Sequence, residues 1–264
     1  MLFAVPTTAG SGSETTMSAV ITEAAAHHKA AINDLRLMPK YAVLDPELTV
    51  GVPPEVTAAT GMDALCHAVE SYTNDTYNSD TERELCRKAV RLIYDNLIKV
   101  YENGSDLEAR QKMQQAAFYA GRAFTRGAVG YVHAIGHAVG GLYGTPHAVA
   151  MAVLLPHVMR AYGEAAHEKL AELSDVCKLA PTEAPDSVKA DAFIRWIEGM
   201  KVQMQIPEYP EMIKKEDIRQ IAKWAEKEAN PLYPVPVIWN RREFESFIRG
   251  LTGKRKTGED DLVF

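Results

Sequence analysis

The stretch Gly61-Met62-Asp63-Ala64-Leu65-Cys66-His67 lies inside residues 54–72, whose apolar spacing predicts a helix. Asp63 and His67 are four positions apart, so on a helix they stack on one face, one turn from each other. A carboxylate and an imidazole arranged that way can grip one metal ion if further donors reach it. The chain offers such donors downstream, in His133-Ala134-Ile135-Gly136-His137 and Thr145-Pro146-His147. Alone, the aspartate–histidine pair reads as a hydrogen bond along a helix face. The histidine cluster moves the reading toward a metal site.

Working outward, the texture becomes helical after Pro53-Pro54 and stays so nearly to the end. Periodicity predicts helices over 54–72, 79–103, 107–126, 133–142, 146–160, 165–177, 184–200, 215–228 and 241–251. Pro156 falls inside the fifth and is expected to end or kink it. Residues 207–210 and 230–236 read as proline-rich connectors, and 253–264 as a loose charged tail. Upstream the pattern differs. Leu2-Phe3-Ala4-Val5, stopped by Pro6, reads as a buried strand. Residues 18–21 and 29–32 point to a hairpin around a polar turn with His27 and His28, and 42–45 to a strand ended by Pro46. The expected fold is mainly α with a small β portion, in three parts: 1–50, 51–252 and 253–264.

Composition narrows the function. The chain has 264 residues, 47% apolar and 24% charged, with a formal charge of −6, which suits a globular protein of one large or two small domains. No dense basic stripe is present, which argues against nucleic-acid binding. No apolar run is long enough to span a bilayer, and the first residues lack the regions of a signal peptide. The three cysteines are scattered without a CxxC, as expected of free thiols in a reducing compartment; a cytoplasmic protein is the expectation.

Three further features bear on chemistry. Thr7-Thr8-Ala9-Gly10-Ser11-Gly12-Ser13-Glu14-Thr15-Thr16 brings small residues, hydroxyls and two glycines together. Such a loop can cradle a phosphate or ribose; it reads equally well as a flexible surface loop, and it is no Walker motif. Of the eight histidines, His27, His28 and His167 fit turns or polar faces, and His157 fits a hydrogen-bonded core position. His133 and His137 share a face. His147 follows Thr145-Pro146, a capping residue and a proline that fix it at a helix start. A donor set of one carboxylate and several imidazoles, without thiolate, argues against a structural zinc finger and suits Fe²⁺, Zn²⁺, Co²⁺ or Mn²⁺. A position left for a substrate oxygen makes a Lewis-acid site. Tyr72, Tyr131 and Tyr143 are candidates to shape a pocket, or simply to pack.

These segments together resemble the iron-containing (group III) alcohol dehydrogenases. The stretch from Pro6 to Thr16 is similar to that family's PTTAGTGSE-type loop. Ala59-Thr60-Gly61-Met62-Asp63-Ala64-Leu65-Cys66-His67-Ala68-Val69-Glu70 resembles its first metal signature. Gly130-Tyr131-Val132-His133-Ala134-Ile135-Gly136-His137 and Gly144-Thr145-Pro146-His147-Ala148-Val149-Ala150 resemble the second, and Asn230-Pro231-Leu232-Tyr233-Pro234-Val235-Pro236 a late segment. The resemblance implies Asp63, His67, His133 and His147 as metal ligands, iron first and zinc second. It implies His137 as a catalytic histidine beside the nicotinamide, and Thr7, Thr8, Ser11, Thr16, Lys29 and Leu48 as contacts of NAD or NADP. It further implies a dehydroquinate synthase-like fold and hydride transfer between a small alcohol or aldehyde and the cofactor. The family's GGGS-type pyrophosphate turn is absent from this sequence. Residues 1–50 are therefore expected to be the last part of a Rossmann-like cofactor domain, and the chain to be weakly active alone. An exposed strand edge at residues 2–5 is expected to favour a homo-oligomer. Two rivals stand: a lyase resembling dehydroquinate synthase, or another dehydrogenase such as glycerol dehydrogenase, on the same scaffold; and a non-catalytic metal-binding helical remnant.

Overall fold

A computed structural model describes residues 2–23, 28–211 and 213–252; the side chains of residues 23–31 and the expected tail lie outside that description. In chain order the strands are β1 (Phe3–Ala4), β2 (Ser18–Glu23), β3 (His28–Asn33) and β4 (Tyr41–Ala42). The helices are α1 (Pro54–Thr73), α2 (Asp80–Glu102), α3 (Leu107–Gly127), α4 (Tyr131–Tyr143), α5 (His147–Tyr162), α6 (Glu164–Cys177), α7 (Asp186–Gln203), α8 (Ile218–Ala229) and α9 (Arg241–Thr252). The fold is mainly α, as the periodicity predicts.

Helix α1 is the axis of the bundle. From Thr57 to Thr73 every residue except Thr60 is buried, because α2, α3, α5 and α6 all pack on it. Its residues are small (Ala58, Ala59, Gly61, Ala64, Ala68), which lets neighbouring helices come close. Its end is tied down by Asn74, whose Nδ2 donates to Gly127 O at 3.0 Å and Val129 O at 3.2 Å. Helix α2 starts on a capping box, with Glu82 accepting from the Ser79 amide at 2.9 Å. Helix α4 lies between α5 and α8.

Pro156 does not end α5, which continues to Tyr162. A proline inside a helix disturbs the carbonyls one turn before it. Here the buried Lys201 ammonium donates to one of them, Val153 O, at 3.2 Å and to Glu208 O at 3.1 Å. That burial pulls Lys201 down to about 8. His157 is half-buried, with Nε2 2.8 Å from Glu208 O, and is a hydrogen-bonded packing residue as expected.

The β portion differs more from expectation. β2 and β3 form the predicted antiparallel hairpin, with Ser18 opposite Asn33 and Glu23 opposite His28. β1, however, is not a buried strand. Leu2, Phe3 and Val5 are 50%, 56% and 48% exposed. The strand is two residues long, and its one neighbour among the described residues is β4, in parallel, which leaves its other edge uncovered. β4 stops at Ala42 rather than residue 45, because Asp45 caps a 3₁₀ turn (Pro46–Thr49), accepting from the Glu47 amide at 3.0 Å.

The 7–16 loop is seated on helices rather than free in solvent. Gly12 has φ +60° and lies against Gly121 of α3. A Cβ on Gly121 would come 2.2 Å from Thr15 Oγ1 and 2.9 Å from Gly12 Cα, so only glycine admits the loop there. Thr125 Oγ1 donates to Thr15 O at 3.2 Å, and Gln114 Nε2 to Asp45 O at 3.0 Å.

Candidate metal centre

Three helices deliver four donors to one point. Asp63 and His67 come from successive turns of α1, His133 from the first turn of α4, and His147 is the first residue of α5. Asp63 Oδ1 faces the Nε2 of His147 at 3.5 Å, of His67 at 3.9 Å and of His133 at 3.9 Å. One donor atom from each of the four residues lies within 4.8 Å of the others. Asp63, His67 and His133 are 2%, 4% and 3% exposed, and His147 is half-buried on the open side.

The electrostatics and hydrogen bonding fit a cation. Asp63 Oδ1 and His133 Nε2 are buried without a hydrogen-bond partner, a costly state for polar atoms in a core. A divalent ion shared by these atoms removes that cost. Burial works to raise the Asp63 carboxyl, but the imidazoles, His67 foremost, outweigh it and hold it well below the usual carboxylate range. Burial brings His67 down to about 4 and His133 well below the ordinary imidazole value, so both rings are neutral at pH 7 with lone pairs free to ligate. Cys66 lies behind His133, its Sγ 3.8 Å from Nδ1. Burial raises its thiol well above the usual value, so it stays protonated.

Two carboxylates back the rings. Glu70 Oε2 is 2.5 Å from His133 Nδ1, and Glu70 Oε1 accepts from the Val132 amide at 2.7 Å. Burial pushes Glu70 up to about 7 against the opposing pull of the amides of Gly130, Val132 and His133. Glu228 Oε1 is 2.7 Å from His137 Nδ1 and accepts from Tyr233 OH at 2.9 Å. His137 is beside the cluster, its ring 5.1 Å from that of His147, and is not among the four converging donors. Phe124 stacks on His67 at 4.3 Å.

His67, His133 and His147 border a cleft of about 430 Å³ between the hairpin and the helices, with His137, Phe124 and Tyr233 in its wall; Asp63 is buried and outside that lining. Ser11 and Thr16 line it; Thr7, exposed, and Thr8, half-buried, do not. Leu48 is 46% exposed in the 3₁₀ turn, away from the cleft lining. Lys29 pairs through its backbone with Thr22, which does line the cleft; its side chain is outside the described residues. The tyrosines singled out as pocket candidates pack elsewhere. Tyr72 OH donates to Glu172, Tyr131 OH to Asn230 at 3.0 Å and Tyr143 OH to Asp217 at 2.6 Å. Sequence reasoning missed Glu70, Glu228, Phe124 and Tyr233. Glu70 alone carried a signal, three residues beyond His67 on the same helix.

The description "Fe-containing alcohol dehydrogenase family, C-terminal" matches residues 57–249, and "Iron-containing alcohol dehydrogenase" matches residues 1–46. The chain belongs to the iron-containing alcohol dehydrogenase family. It is 38% identical over 250 residues to 1,3-propanediol dehydrogenase of Klebsiella pneumoniae, covering 94% of this chain and 64% of that protein. It is 39% identical over 222 residues to NAD-dependent methanol dehydrogenase of Bacillus methanolicus, covering 83% and 58%. The solved alcohol dehydrogenase from Oenococcus oeni superposes with a TM-score of 0.90 at 34% identity, over 95% of this chain and 65% of that one. The chain thus spans less than two thirds of the length of these family members. No helix among the described residues is long and apolar enough to cross a membrane.

Proposed function

We propose that this chain carries the metal centre and one cofactor wall of an alcohol dehydrogenase acting on a small alcohol or aldehyde with NAD or NADP. The observation that supports it best is the buried, unpartnered Asp63 carboxylate oxygen facing three imidazoles at the edge of a cleft. Asp63, His67, His133 and His147 would hold a divalent cation, iron first by family and zinc second by donor chemistry. Such a cation supplies Lewis-acid chemistry toward an alcohol or carbonyl oxygen, and the dinucleotide supplies the hydride carrier.

The chain's own residues do the rest. His137, its Nδ1 fixed by Glu228, is placed in the cleft wall to take or give the alcohol proton. Ser11 and Thr16 offer hydroxyls to the dinucleotide, with Thr7, Thr8, Lys29 and Leu48 as further contacts taken from the resemblance. Phe124 and Tyr233 keep part of the wall apolar. Residues 1–50 act as the cofactor side and 51–252 as the metal side. The name of the Bacillus methanolicus relative favours NAD. Turnover by these 264 residues alone is expected to be slow, since the sequence holds no glycine turn for the pyrophosphate.

Elemental analysis and a cofactor titration test the reading. One divalent cation per chain is expected, lost in His133→Ala and retained in His157→Ala. Equal loss in both variants removes the centre from this site. A bound cation with neither NAD binding nor alcohol-dependent cofactor reduction would leave a metal-binding helical remnant instead.

A further inference from the structure

We infer that Glu70 is a positioning residue that fixes both the tautomer and the place of His133; the inference rests on the metal reading above. Glu70 is 1% exposed. Its two oxygens take different groups at the start of another helix. Oε2 faces His133 Nδ1 at 2.5 Å, and Oε1 accepts from the Val132 amide at 2.7 Å. Val132 is the second residue of α4, so its amide has no acceptor within the helix. A negative charge there also suits the positive end of the helix. The carboxylate therefore clamps the start of α4 onto α1.

The same clamp decides which ring nitrogen of His133 is free. With the proton held on Nδ1 toward Glu70, the lone pair is on Nε2, the atom 3.9 Å from Asp63 Oδ1. Asp63, His67 and Glu70 all belong to α1, so one rigid helix supplies two donors and aims a third. Gly130 makes room: a Cβ there would meet Glu70 Oε1 at 2.8 Å. Cys66 Sγ, 3.8 Å from Oε2, completes the surroundings of the carboxylate.

The pattern requires two acceptors. A glutamine has one acceptor oxygen and one donor nitrogen. In Glu70→Gln, an amide that keeps its oxygen on Val132 N–H turns its NH₂ to His133 Nδ1 and favours the tautomer with the proton on Nε2, the atom needed for the metal, although its size is unchanged. Gly130→Ala keeps the carboxylate but displaces it, and gives a second, independent perturbation.

The test uses the full chain with Zn²⁺ alone. Isothermal titration measures affinity, melting of the metal-free protein measures folding, and nitrogen NMR of the metal-free protein at neutral pH reads the His133 tautomer. Glu70→Gln is expected to bind Zn²⁺ about ten- to hundredfold more weakly, with Gly130→Ala in between, while the metal-free protein melts within a few degrees of the parent. The parent is expected to carry the His133 proton on Nδ1, and Glu70→Gln a mixture. A purely structural role would lower melting and leave affinity and tautomer unchanged. A parent that binds Zn²⁺ with Glu70→Gln matching it within about twofold overturns this inference alone. A parent that binds none overturns the metal reading too. Should Glu70→Gln fail to fold, unchanged affinity in Gly130→Ala is the overturning result.

Discussion

Asp63→Asn is expected to strip the cation from the protein without unfolding it. The carboxylate is the one negatively charged member of the four-residue set and the atom all three imidazoles face. Losing a charged ligand from the centre is expected to weaken affinity by at least about a hundredfold, some 2.8 kcal/mol. The metal-free protein should stay folded, because the amide keeps the size of the carboxyl and its NH₂ can donate to His133 Nε2 or His147 Nε2. The rise in melting temperature on adding Zn²⁺ should disappear. A variant that still gains thermal stability from Zn²⁺ as the parent does would place the cation elsewhere.

Gly121→Val carries the second large effect, on folding and cofactor binding together. The added Cβ would sit 2.2 Å from Thr15 Oγ1 and 2.9 Å from Gly12 Cα, and Gly12 is held at φ +60°. Backbone cannot yield as a flexible side chain does, so the 7–16 loop must lift from α3. Overpacking of this kind costs about 1–3 kcal/mol, and roughly 2–4 °C of melting temperature per kcal/mol at this chain length. Because Ser11 and Thr16 line the cleft, dinucleotide affinity should fall with it while Zn²⁺ affinity stays. Gly199→Ala is the control. Nothing lies within 4 Å of its added Cβ on the exposed side of α7, so it should stabilise by about 0.5–1 kcal/mol. Dinucleotide affinity unchanged in a folded Gly121→Val would show that the loop does not contribute to that site.

How much of this was legible in the sequence depends on range. The helices follow from periodicity, and Asp63 with His67 from a four-residue spacing within one helix. The Thr145-Pro146 signal placed His147 at a helix start, but Pro146 rather than Thr145 is the residue before the helix and no side chain caps it, since the proline ring already sets the backbone there. His133 was a candidate from the histidine cluster, while the fact that it and not His137 joins the four donors is decided by packing. Glu228 carries no local signal at all: it reaches His137 from 91 residues away, and only the contact between α4 and α8 brings them together. Leu2 to Val5 was misread: it has the composition of a buried strand, but burial depends on neighbours that composition does not describe. Tyr131 takes the packing alternative, its ring joining Tyr162, Trp239 and Phe244 and its hydroxyl satisfied by Asn230 and Trp239.

Beyond its first turn, helix α1 shows almost no residue to water, and that dictates when the four donors come together as the chain folds. A segment wrapped on every side gains little until its surroundings arrive, and alone it forms only a marginal helix. The neighbouring α2 and α3 can zip together early, since they adjoin in sequence, but α5 and α6 come from far downstream. Asp63 and His67 thus reach their final places only when the last wall closes. A half-assembled chain would present scattered imidazoles to an ion, not a chelate, so under the proposed function uptake of metal would report on complete assembly of the interior.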